Sequence, residues 1–176
     1  MLDGVEIPSV TKIIAPLYDF SGISAERLEY ASQRGIAVHK ATELYDTGDL
    51  DEAALDPVIV PYLDAWKKFK AENNVTITDF ETKLYNQTHK YAGTFDRVVI
   101  MNDERWVIDI KATAALSPAV GVQLAGYAGL TTVKRRGAVQ LLPSGQYKLQ
   151  EYSSKTDWPT FISLLTIFNW RKNNAK

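Results

Sequence analysis

The chain has no cysteine, and only two histidines and two methionines among its 176 residues. Without cysteine there is no disulfide, no zinc ribbon, no iron–sulfur cluster and no thiol nucleophile. No run of 18 or more apolar residues occurs, so no segment is expected to span a membrane. There is no internal repeat, no low-complexity tract and no obvious linker. The opening MLDGVEIPSV carries acids and no basic residue, so a secretory leader is not expected. The formal charge is −1, so neither sign dominates. What is present is ordinary for a globular protein: 45% hydrophobic and 23% charged residues. The length suits one domain, residues 1–176, with a core large enough to need no metal or disulfide staple. A soluble, intracellular chain is the expectation.

The near-zero net charge hides an asymmetry. From Thr131 to Lys176 there are eight Lys or Arg and two acids, six net positive charges, which leaves seven net negative charges on the first 130 residues. Between Ala41 and Trp66 there are seven acids and no Lys or Arg. Such a chain can present bases to phosphates and acids to a metal; uneven scatter of surface charge is the plainer account.

Periodicity predicts the order α-α-β-β-β-α-β-β-α after a short apolar lead-in, Ile7 to Pro16. Ser24 is placed to cap a helix running to Tyr45, with a break at Gly35 and a stop at Gly48. Asp56-Pro57 reads as the start of a second helix, whose Tyr62, Trp66 and Phe69 form one apolar stripe before Asn73-Asn74 stops it. A β-rich stretch follows from Val75 to Tyr85. A second strand is expected over Tyr91 to Met101 and a third over Arg105 to Lys111, joined by a turn at Asn102-Asp103-Glu104. Ser117-Pro118 opens a helix to about Leu130. Arg136 to Leu142 and Gln146 to Tyr152 form a hairpin, and a last helix runs from Thr156 or Asp157 through Trp170. The expected class is α/β or α+β, with a central mixed sheet flanked by helices.

The third strand breaks its own pattern. Trp106, Val107, Ile108 and Ile110 are strand formers, yet Asp109 and Lys111 interrupt them. Residues two apart on a strand share a face, and charges there are costly unless they pair or do chemistry. The preceding strand contains Gly93-Thr94-Phe95-Asp96. Asp96 and Asp109 are 13 residues apart around a turn near residue 103, which sets them nearly opposite each other. Facing carboxylates share a proton or a cation, and Mg²⁺ binds through one or two carboxylates plus substrate phosphates. A surface hairpin with scattered charges is the other account.

The combination G-x-x-D, hairpin, apolar-D-apolar-K resembles the PD-(D/E)XK nuclease superfamily, in which an acid and then a D-x-K triplet stand on adjacent strands. That family has a restriction-endonuclease-like core of order αβββαβ, matched here from Pro57 through Leu142. Three further motifs are similar to the RecB-like and phage-type exonuclease branch. These are Arg34-Gly35-Ile36-Ala37-Val38-His39, the Gln123-x-x-x-Tyr127 helix, and the lead-in Pro8-Ser9-Val10-Thr11. The resemblance covers roughly Arg34 to Leu142. Phe95 stands where many members have proline before the aspartate; RecB-like members commonly carry G-x-x-D there.

What the resemblance implies is specific. Asp96, Asp109 and Lys111 would be catalytic, and His39, Asp96, Asp109 and the Ile110 carbonyl would hold Mg²⁺ or Mn²⁺. The imidazole tilts the site toward Mn²⁺, and Lys111 would position water or stabilise the phosphorane. The reaction would be metal-dependent hydrolysis of DNA, single- or double-stranded, from a free end. Its setting would be recombination, repair or phage DNA processing, in the cytoplasm of a bacterial or phage-infected host cell, with a recombination or repair protein as partner. A structure-selective or restriction-like endonuclease, a catalytically silent nucleic-acid-binding module of the same fold, and an inhibitory partner protein remain as alternatives.

Several residues carry two readings. Glu43, four residues beyond His39, orients the imidazole or is a solvated charge. Glu81 approaches the site from the first strand or faces solvent. Gln123 and Tyr127 hold substrate phosphate or the Lys111 region, or form a buried polar pair. Arg34, Lys134, Arg135 and Arg136 are candidate DNA contacts, although bases at a helix end also answer its dipole. His89 reads as a turn residue.

Overall fold

The computed structural model describes residues 7–174; the acidic opening 1–6, read above as lacking a leader, and Lys176 of the basic tail lie outside them. Along the described chain run α1 (Val10–Ile14), α2 (Ala25–Thr47), α3 (Val60–Glu72), β1 (Thr76–Asn86), β2 (Tyr91–Met101), β3 (Glu104–Lys111), α4 (Ala119–Ala128), β4 (Arg135–Leu141), β5 (Tyr147–Glu151) and α5 (Asp157–Asn174). Short 3-10 turns occupy Ala15–Leu17 and Glu52–Ala54. No described helix is long and apolar enough to cross a membrane.

The five strands form one sheet in the order β1-β2-β3-β4-β5. β3 and β4 are parallel, joined through α4, and every other pair is antiparallel. This is the expected α+β fold with a mixed sheet. Helices cover both faces. Val10 and Ile13 of α1, Leu124 of α4 and Phe161 of α5 pack with Phe95, Val107 and Ala138 on one side. Val38 of α2 and Tyr62, Trp66 and Phe69 of α3 pack with Val99, Ile108 and Val139 on the other. β3 and β4 are thus buried on both faces, which accounts for their nearly unbroken apolar runs. α4 is buried on every side, and Gly126 lets α5 approach it: a Cβ there would stand 2.6 Å from the Phe161 ring.

Two local expectations are corrected. α2 does not break at Gly35; an interior glycine costs about 1 kcal/mol relative to alanine without interrupting the hydrogen-bond ladder. Ser24 caps α2 as expected, accepting from Arg27 N, and Gly48 closes it at φ 79°. Asp56-Pro57 does not start α3. Asp56 Oδ1 accepts from Val58 N at 2.8 Å, making a turn, and the helix begins at Val60 with Pro61 in its first turn.

The feature that positions the site is a change of phase in β2. Tyr91 and Phe95 face the α4/α5 core, and strict alternation would put Val99 and Met101 with them. Both instead join the α2/α3 core, while Val98 takes the other side. The slip falls at Asp96 and Arg97, and both side chains reach α2. Arg97 is fully buried. Its Nε donates to Asp46 Oδ2 at 2.9 Å, and its Nη1 donates to the Asp96 carbonyl at 2.7 Å. Asp46 also accepts from Trp66 Nε1 at 3.0 Å and from Lys70 Nζ at 2.7 Å. One carboxylate therefore ties α2, α3 and β2 together.

Removing one partner of this pair should be costly. Arg97→Met is expected to lower unfolding stability by about 3–5 kcal/mol, since Asp46 is left buried without its main counter-charge. The double variant Arg97→Met/Asp46→Leu should recover most of that loss. Urea denaturation of the two variants checks this; equal losses would show that packing, not charge, sets the cost.

Candidate active site

The site grows from the β2–β3 hairpin. Asn102 and Asp103, at φ 51° and 62°, form the tight turn, whose twist suits a two-residue connection. Pairing runs from Met101–Glu104 to Arg97–Ile108 and stops there. The same register carried one step further sets Asp96 opposite Asp109. The strands part at that point, and the Asp96 carboxylate fills the gap. Its Oδ2 accepts from Ile110 N at 2.7 Å, and its Oδ1 lies 3.4 Å from His39 Nδ1 on α2. Asp109 is buried, and its Oδ2 stands 2.7 Å from Lys111 Nζ. No hydrogen bond of good geometry reaches that buried oxygen. Asp96, Asp109, Lys111 and His39 are thus gathered at one end of the sheet.

Burial and neighbouring charge oppose each other at these groups. Burial acts to raise the Asp96 carboxyl, but the His39 imidazole, Lys111 and the Ile110 N–H outweigh it and hold it below the usual carboxylate range. Burial acts to lower His39, and Asp96 reverses this, so the imidazole titrates above its ordinary value. Burial likewise opposes the Lys111 ammonium, but Asp109 and Asp96 hold its proton more tightly than usual. Asp109 is pushed up, first by burial and then by Asp96, against the pull of Lys111.

One nitrogen or oxygen each from His39, Glu81 and Asp96 lie within 4.8 Å of one another. An imidazole and two carboxylates at that separation suit a divalent ion; Asp109 is not one of the three, and its buried Oδ2 is paired with Lys111 Nζ.

The remaining expected residues are placed differently. Glu43 pairs with Lys40 at 3.0 Å and not with His39; the imidazole faces Asp96 instead. Gln123 Nε2 donates to the Tyr127 hydroxyl at 3.1 Å in a buried pair on α4, the plainer of the two readings. Burial raises the Tyr127 hydroxyl well beyond its usual range, with Asp109 and Asp96 adding to it. Arg34 Nη2 donates to the Ala112 carbonyl at 3.0 Å, tying α2 to the end of the D-x-K strand, and its guanidinium lies 5.7 Å from the Tyr30 and Tyr62 rings. The basic triplet lies away from these groups. Arg135 pairs with Trp106 and Lys111 with Gln140, so the triplet is at the other end of the strand, about 17 Å away at 3.3 Å per residue. Arg135 bridges Glu104 and Glu151 over the Trp106 ring. Arg136 is buried against Gly121 O, Ser154 O and Asp157. Lys134 remains exposed. His89 N bonds Asn86 Oδ1 in the β1–β2 turn.

Three contributors escaped the sequence reading. Arg97 and Asp46 stand behind Asp96; an arginine inside the run Phe95 to Ile100 was the available signal. Tyr18 is half-buried, and its hydroxyl is raised by burial, with Lys111 and Asp109 as its charged neighbours. Nothing in the lead-in sequence announces that proximity.

The His39–Asp96 contact makes a direct prediction. In Asp96→Asn the carboxylate that lifts the imidazole is gone and burial remains, so the His39 pKa should fall relative to wild type. Proton NMR titration of the ring checks this, and an unchanged midpoint would place the imidazole's partner elsewhere.

No family model matches the chain, and no curated protein matches it. Solved structures do. The crystal structure of SSO0001 aligns with 98% of this chain and 81% of its own, at 18% identity and a TM-score of 0.50. An alkaline exonuclease, LHK-Exo from Laribacter hongkongensis, aligns over 95% of this chain and 92% of its own, at 15% identity and a TM-score of 0.50. At these identities the likeness is one of fold: the five-stranded mixed sheet and its flanking helices are shared with a nuclease.

Proposed function

We propose that this chain is a metal-dependent nuclease that degrades DNA from a free end. One observation carries the reading. The Asp96 carboxylate, seated between the His39 imidazole and the Ile110 N–H, faces a buried Asp109–Lys111 pair across the parted hairpin. The fold shared with an alkaline exonuclease supports it.

His39, Asp96 and Asp109 would hold a divalent cation, Mg²⁺ or Mn²⁺. When bound, such an ion supplies Lewis acidity toward phosphate and water. The protein's own groups supply the rest. Ile110 N–H and His39 fix the Asp96 carboxylate, so its free lone pairs face the opening. Arg97 holds the Asp96 main chain from behind, so the acid does not have to reorganise during turnover. Lys111 stays protonated under the pull of Asp109 and Asp96, which suits it to stabilise charge on the phosphorane and not to serve as a general base. Asp109 in turn keeps the ammonium in place.

Asp109→Asn should abolish cleavage while DNA binding, followed by fluorescence anisotropy, stays near wild type. The amide keeps the shape and loses the charge. Cleavage within about tenfold of wild type, roughly 1.4 kcal/mol in barrier, would move the chemistry away from Asp109.

The free-end requirement is tested by offering end-labelled linear DNA and covalently closed circles side by side, with Mg²⁺ or Mn²⁺. Linear DNA should be consumed and circles spared. Circles cut at a similar rate would assign the chain to the endonucleases.

A further inference from the structure

Glu81 has a backbone conformation that its sequence does not explain. It sits within the edge strand β1 at φ 46°, a left-handed conformation that side chains other than Gly, Asn and Asp rarely adopt. The strand's exposure pattern changes phase at the same place. Asp79 and Thr82 are half-buried, while Phe80 and Glu81 between them are both exposed. The partner strand changes phase directly opposite. Phe80 pairs with Arg97 and Thr82 with Phe95, so Glu81 faces Asp96. Two carboxylates at facing positions of an antiparallel pair repel. Among the described residues no lysine, arginine or histidine forms an ion pair with Glu81, while its carboxylate comes within 4.8 Å of the His39 and Asp96 donor atoms. It lines one side of an open cleft of about 470 Å³, with Gly35, Ile36, His39 and Lys40 of α2 on the other. The next acid along the sheet, Asp109, is already paired with Lys111 at 2.7 Å, whereas Glu81 has no such cation among the described residues.

We infer that Glu81 is a further metal ligand supplied by the edge strand, added to the His39, Asp96 and Asp109 set in a cation site that draws on α2, β1, β2 and β3; this rests on the metal-dependent reading above. A cation resolves the facing carboxylates, which otherwise have only the imidazole between them. The left-handed residue turns the Glu81 side chain out of the regular alternation and toward α2. One imidazole with carboxylates makes a mixed nitrogen–oxygen set, which favours Mn²⁺ over Mg²⁺. A purely architectural account is available: the strand needs a left-handed residue at position 81, and the carboxylate is incidental. On that account glycine, which adopts positive φ without strain, would serve as well in every respect.

The two accounts separate in a calorimetric titration of Mn²⁺ alone into metal-stripped wild type, Glu81→Gln, Glu81→Gly and Asp96→Asn. Glu81→Gln keeps size and shape, and should weaken Mn²⁺ binding by about tenfold or more. Glu81→Gly should lose affinity equally while its metal-free form melts no lower than wild type, so that the loss is one of ligand and not of fold. Wild-type Mn²⁺ affinity in Glu81→Gln, beside an Asp96→Asn variant that has lost binding, would overturn the assignment of Glu81 alone. A wild-type protein that takes up no Mn²⁺ would overturn the metal-dependent reading and this inference with it.

Discussion

A single ion pair, Asp46 with Arg97, holds the working end of this molecule in register. Both side chains are 1% exposed, and each would be prohibitive alone. Together they hold α2 to the second strand, and α3 is drawn in through Trp66 and Lys70. Because Arg97 points to α2, its neighbour Asp96 does so as well, and strict alternation cannot survive the step. The break in β2 pairing at Asp96, the parting of β2 from β3, and the seat of the Asp96 carboxylate on Ile110 N follow from that geometry.

The four ionisable groups of the site also depend on one another. Burial favours the neutral form of each; neighbouring charges shift His39, Asp96 and Lys111 back toward the charged form, and Asp109 is shifted toward the neutral one. His39 holds Asp96 ionised, Asp109 holds Lys111 protonated, and Asp109 is left as the group most strained by its surroundings. Tyr127 and Gln123 are buried beneath the acids: α4 supplies a low-dielectric floor with its own polar atoms paired internally.

Two of the bases in the C-terminal third are tied into the fold. Arg135 bridges two glutamates across β3, β4 and β5, and Arg136 locks β4 to the start of α5. Of their partners, Glu151 and Asp157 belong to the same stretch of chain, and Glu104 does not. A linear count of charge cannot see the Glu104 pairing, because that acid reaches Arg135 only after β4 has been placed next to β3.

The sequence by itself determined the order of the elements, the α+β class, the β2–β3 hairpin and its turn, and the opposition of Asp96 and Asp109. These follow from periodicity, turn chemistry and arithmetic along one local hairpin, where spacing and spatial proximity are nearly the same thing. It also put His39 on a helix before the sheet, though only the resemblance of its motif made it a candidate. What the tertiary structure alone decided is which charges meet. His39 found Asp96 and not Glu43, Glu81 came to face Asp96 through a left-handed residue in an edge strand, and Arg97 vanished into the core with Asp46. Each of these contacts joins segments separated by 15 to 57 residues, or turns on a slip of one residue in strand phase, and neither leaves a periodic signature. A one-residue slip reverses which face a side chain takes, so the packing of α2 and α3 on the sheet, not the alternation along the strand, set the geometry of the site.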